Sequence, residues 1–159
     1  VLQSTLKTWD DDLKNTSILI IEKIKDSKAK KIASSAAILK WSPDESKFLY
    51  KEKPLSDKEK DDKTLFKDYK VYDLEDKIQY NLPEVRAFSW LPDSRHVILV
   101  EEDKVSIFDF DGSNKAVIYA GKFEDSFVFA WPDASRLVVV SSLPTPTASE
   151  PNLFGINLK

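Results

Sequence analysis

Trp41-Ser42-Pro43-Asp44-Glu45-Ser46, followed by the apolar run Phe48-Leu49-Tyr50, decides how this chain is read. The pattern returns as Trp90-Leu91-Pro92-Asp93-Ser94 before Val97 to Val100, and as Trp131-Pro132-Asp133-Ala134-Ser135 before Leu137 to Val140. Proline presets φ for a turn, and Asp or Ser can bond the turn's backbone amides. Each unit therefore reads as a strand, a tight turn and a buried strand, with the Trp packing between sheets or, alternatively, stacking on a ligand.

Outward from these turns, strands are expected over 35–41, 69–74, 77–80, 85–90, 96–101, 105–110, 116–120, 127–131, 137–140 and 153–158. The segments 1–9, 17–24 and 28–33 also read as strands, separated by turns at 10–15 and at Asp26-Ser27. No segment is read as holding the sustained apolar spacing of a helix. The expectation is an all-β chain.

Pro43, Pro92 and Pro132 lie 49 and 40 residues apart, the first interval lengthened by the charged insertion 51–68. A period near 40 with four strands per unit is the signature of β-propeller blades. With strands A to D counted from the axis outward, the chain reads BCD-ABCD-ABCD-ABC, about 3.5 blades. The units are 1–34 (partial), 35–84 (with the 51–68 insertion), 85–126 and 127–159 (partial). Such an open segment leaves unpaired edges. It is expected to be completed by a longer parent chain or by dimerisation.

Composition narrows the function. The 159 residues carry a net charge of −3 with 42% hydrophobic residues, enough for one sizeable core. Arg occurs only at 86, 95 and 136, and the acidic balance argues against nucleic acid as a partner. The absence of Cys excludes disulfides and thiolate chemistry. No apolar run approaches membrane-spanning length. The chain begins at Val1 without Met, which reads as a boundary or processed end. His96 is the sole His, no Gly-x-Ser-x-Gly elbow exists, and the acid clusters at 10–12, 59–62 and 101–103 read as solvated loops. No catalytic residue, metal ligand or cofactor site is expected. Two long B–C loops, 51–68 and 141–152, would share one face as a decorated recognition surface or remain simply solvated. Leu65, Phe66, Leu143, Pro144 and Pro146 are their candidate partner-binding residues.

Trp41-Ser42-Pro43-Asp44, with Tyr69-Lys70-Val71-Tyr72-Asp73-Leu74 and Val105-Ser106-Ile107-Phe108-Asp109-Phe110, resembles the TolB-type, WD-repeat-like bacterial propeller repeat. Glu45 stands where that repeat usually has Gly. The chain resembles more loosely the propellers found beside PEGA-type surface domains. The resemblance implies a non-catalytic protein–protein interaction or assembly module, extracytoplasmic or at the cell surface, though a cytoplasmic location is also compatible. The alternatives it leaves are an accessory or gating propeller of a larger hydrolase or peptidase, and a glycan-binding module.

Overall fold

The computed structural model describes residues 2–54, 68–84, 87–124, 127–142 and 150–158. Two helices, α1 (Leu2–Lys23) and α2 (Ser27–Ser35), precede eleven strands. Strands β1 (Ile38–Trp41), β2 (Lys47–Lys51), β3 (Lys70–Asp73) and β4 (Ile78–Asn81) form the first antiparallel meander. The second is β5 (Ala87–Trp90), β6 (His96–Val100), β7 (Lys104–Asp109) and β8 (Ala116–Ala120). The third has three strands, β9 (Val128–Ala130), β10 (Arg136–Ser141) and β11 (Asn152–Asn157). The sheets stack face on face as successive blades of a partial β-propeller.

Each Pro-Asp turn joins an A strand to a B strand, and its sequence explains its shape. The Asp44 side chain accepts from the Ser46 amide, Asp93 from those of Arg95 and His96, and Asp133 from that of Ser135. The next residue takes a left-handed backbone, with φ of 60° at Glu45, 58° at Ser94 and 56° at Ala134. These are the positions where the similar repeat carries Gly, which adopts this conformation without a Cβ penalty.

Cross-strand register assigns the faces. Trp41 pairs with Phe48 and Tyr72 with Phe48, so these residues share one face of blade 1 with Leu39 and Tyr50. The opposite face carries Leu49 and Val71 and meets Phe88, Val97, Leu99 and Phe108 of blade 2. Blade 2 then presents Ile98, Val100 and Val105 to Leu137 and Val139 of blade 3. Each junction therefore joins the back face of one blade to the Trp-side face of the next. Each fully buried large side chain in these layers contributes about 1.5–3 kcal/mol.

The first 35 residues correct the sequence reading. Where strands were expected over 1–9, 17–24 and 28–33, with a turn over 10–15, the described residues form helices over Leu2–Lys23 and Ser27–Ser35. Neither Gly nor Pro occurs before Pro43, so nothing interrupts a helix. Leu2, Leu6, Trp9, Leu13 and Ile20 follow steps of four, three, four and seven, which is helical spacing. Asp26, read as a turn residue, is the N-cap of α2: its carboxylate accepts from the Lys28 amide at 2.9 Å. Its other oxygen accepts from the Tyr72 hydroxyl at 2.8 Å, which ties the cap to blade 1. Ala29 and Ala33 are buried against Phe48, Tyr50 and Tyr72. Helix α2 thus covers the blade 1 face that would otherwise receive a preceding blade. The resulting partial propeller is mostly β rather than all-β.

Candidate functional site on the open face of blade 3

The back faces of blades 1 and 2 are buried, whereas the back face of blade 3 lies open. Aligning the Pro-Asp turns makes Leu49, Ile98 and Val138 equivalent, and likewise Tyr69, Val105 and Leu153. Leu49, Ile98 and Val105 have no exposure and Tyr69 has 6%, but Leu153 is 68% exposed. Phe129 pairs with Val138 and is 54% exposed. Phe127 stands two residues before it on the same face, and their rings meet edge-on at 6.3 Å between centroids.

Trp131 belongs to this face because it stands one position later in the repeat than Trp41 and Trp90, at the place of Ser42 and Leu91. Trp41 and Trp90 are separated from their Pro by one residue, whereas Trp131 abuts Pro132. Ala130 therefore occupies the place of Trp41 and Trp90, and points into the junction with blade 2. Strand side chains alternate, so Trp131, the residue after Ala130, faces the other way. It is 53% exposed. The reading of all three as blade-packing Trp holds for Trp41 and Trp90, which pack against the buried clusters, and fails for Trp131. The combination of an alternating Phe127-Phe129-Trp131 run and a Trp directly abutting Pro132 was the signal available in the sequence.

Arg136 supplies the charge on this face. It lies in register with Asn157, and its side-chain stem passes over Gly155, where an added Cβ would come 4.0 Å from its Cδ. The equivalent Lys47 of blade 1 pairs with Asp73 at 3.8 Å and reaches across the junction to lie 4.7 Å above the centroid of the Phe110 ring. A complete junction also carries polar contacts. The Trp90 indole donates to the Lys40 carbonyl at 3.0 Å, and the Lys40 ammonium donates to the Phe88 carbonyl at 3.1 Å. Burial pulls the Lys40 ammonium below its ordinary pKa. In blade 1 the Trp41 indole N–H is buried under the helical cap with no hydrogen-bond partner among the described residues.

Polar chemistry gathers elsewhere, in a cleft of about 440 Å³ between blades 2 and 3. Asp93, His96, Asp109, Asn114 and Asp133 line it beside Leu91, Ile107, Ile118 and Leu158. His96 Nδ1 lies 2.6 Å from Asp93, and Nε2 lies 3.0 Å from Asp109. The Asn114 amide donates to Asp109 at 2.8 Å. Burial pulls Asp93 upward, but hydrogen bonds from the His96 amide and ring and from the Arg95 amide outweigh it, leaving the carboxyl below its usual value. Both imidazole nitrogens face carboxylates, those of Asp93 and Asp109. The cluster ties the A–B turn to strand β7. Among the described residues no group of His, Cys, Asp or Glu is arranged to hold a metal ion.

Leu65, Phe66, Leu143, Pro144 and Pro146 lie outside the described residues. The roots of the first loop are described: Lys70 closes on Glu52 at 2.9 Å. No helix among the described residues is long and apolar enough to cross a membrane.

No protein-family model matches the sequence, and no curated protein matches it. Solved structures similar to it include a TolB-like protein from Agrobacterium tumefaciens, at 17% identity and a TM-score of 0.47, matched over 74% of this chain and 44% of that one. TolB from Acinetobacter baumannii is similar at 13% identity and a TM-score of 0.47, over 76% of this chain and 29% of that one. The β-propeller domain of the Trilobed protease from Pyrococcus furiosus, with an open velcro topology, gives 17% identity and 0.47 over 77% and 41%. The chain therefore spans less than half the length of each. The partial β-propeller rests on the chain's own stacked antiparallel meanders and repeated Pro-Asp turns.

Proposed function

We propose that this chain is a non-catalytic assembly module, a propeller segment that binds protein through the open back face of blade 3. The observation that carries this reading is the contiguous apolar face of Phe127, Phe129, Trp131 and Leu153, exposed where blades 1 and 2 bury their equivalents. Exposed apolar faces of this kind, rimmed by polar groups, mark interaction surfaces. A bacterial extracytoplasmic or cell-surface setting is the corresponding proposal for location and rests on the repeat resemblance.

A photoreactive phenylalanine analogue at position 129 tests the reading in cells that make the protein, with the same analogue at exposed Ile78 as control. The expected result is one adduct of defined mass from position 129 and none from 78. Equal, diffuse labelling from both positions would refute the assignment.

A further inference from the structure

A second apolar surface stands unpartnered at the other end of the molecule. Leu2, Leu6, Trp9 and Leu13 of α1 are all at least half exposed. At about 100° per residue they fall within a stripe about 60° wide. The stripe continues to Ile20, which is buried at 8% exposure where α1 reaches the body. One helical face thus begins in the protein interior and emerges into solvent for its first three turns. Asp10 and Asp12 flank it, each about 80° from its centre on opposite sides. Narrow stripes with charged flanks are helix-docking seams.

We propose that two copies of this chain pair reciprocally, the α1 stripe of each seated on the open blade 3 face of the other. The inference rests on the assembly reading above and names the occupant. Three observations select this pairing. First, a helix covering a blade face already exists in the molecule, since α2 lies on Phe48, Tyr50 and Tyr72 of blade 1. Second, the charges complement: Asp12 and Asp10, the latter 3.9 Å from Lys14 in an exposed pair, flank the stripe, and Arg136 lies on the receiving face. A parallel stripe-to-stripe pairing would instead bring the four carboxylates together. Third, each self-pairing leaves the other apolar surface in water, whereas the reciprocal pairing covers both. It also closes under two-fold symmetry, so assembly stops at two copies. The end of blade 3 in one copy meets the helical end of its partner, and six blades form a ring with a helical seam at each junction.

Sedimentation velocity across a concentration series tests the pairing, with Leu6→Asp and Phe129→Asp as variants and circular dichroism as the check on folding. The wild-type chain is expected to be a dimer, and each variant to dissociate about tenfold more readily or further. Mixing the two variants is the decisive measurement. Each retains the surface the other lacks, so the mixture regains one of two junctions and forms a heterodimer that neither makes alone. Should Phe129→Asp misfold, Arg136→Glu takes its place, and Asp10→Lys with Asp12→Lys in the same chain is expected to restore its dimer. A wild-type monomer at every concentration overturns the pairing, as does a Leu6→Asp variant that dimerises like wild type. In either case a photo-adduct from position 129 with a different protein leaves the assembly reading standing. A wild-type monomer with no specific adduct removes both.

Discussion

Replacing Trp41 and Trp90 by Phe, one at a time, separates a working blade junction from one that a helix has taken over. Both substitutions remove the same atoms from equivalent positions, so the loss of ring area largely cancels in the comparison. What differs is the indole N–H. Trp90 donates to the Lys40 carbonyl at 3.0 Å, and losing one such bond costs about 1 kcal/mol. The Trp41 N–H is buried without a partner among the described residues, and deleting an orphaned donor returns about 1 kcal/mol of desolvation. Trp90→Phe is therefore expected to be less stable than Trp41→Phe by about 2 kcal/mol. For a domain of this size the gap is about 4–8 °C in Tm. Urea and thermal unfolding followed by circular dichroism measure it without relying on the Trp signal being changed. Equal losses in the two variants, or a larger loss at Trp41, would refute the claim that α2 occupies a blade seat without reproducing its hydrogen bond.

Ala134→Gly should raise stability by up to about 1 kcal/mol in chemical denaturation, because φ of 56° penalises a Cβ that contributes no polar contact there. Ser94→Gly should not show this gain, since the Ser94 hydroxyl accepts from the Asp44 amide at 2.9 Å. Ala29→Leu should cost about 1–3 kcal/mol, read as a lowered urea midpoint, because Ala29 has no exposure between α2 and blade 1. Above pH 10 stability should fall. Burial, with the Glu52 charge near Tyr50 and the Asp26 bond to Tyr72, pushes both phenols up to about 12. The unfolded chain releases these protons near pH 10 while the folded chain holds them to about 12, so unfolding is favoured progressively across that window. In Tyr72→Phe the decline should be shallower, as followed by urea midpoints at pH 9 to 12. At the acid end, Asp93 lies below its usual value, so its contribution is present above about pH 4 and lost as pH falls through its folded pKa.

The sequence by itself determined the blades. Pro-Asp turns have fixed local chemistry, and a strand's alternation repeats every two residues, so the eleven strands from β1 to β11 were legible from nearest neighbours alone. The shift of Trp131 to the position directly before Pro132 was equally visible, yet its consequence was not read. That consequence depends on which face of the sheet is covered, and periodicity does not specify the covering element. The helices were misread because the mostly β-branched run Ile18-Leu19-Ile20-Ile21 suits a strand locally, whereas the length free of Gly and Pro and the helical spacing from Leu2 to Ile20 that favour α1 show only over the whole segment. Tertiary structure decided that α2 seals the Trp41 face while blade 3 stays open. Both outcomes follow from contacts between residues far apart in the chain: Asp26 with Tyr72, Ala29 and Ala33 with Phe48 and Tyr50, and Leu137 with Ile98. Local chemistry made the repeats, and long-range packing determined which ends of the stack are closed.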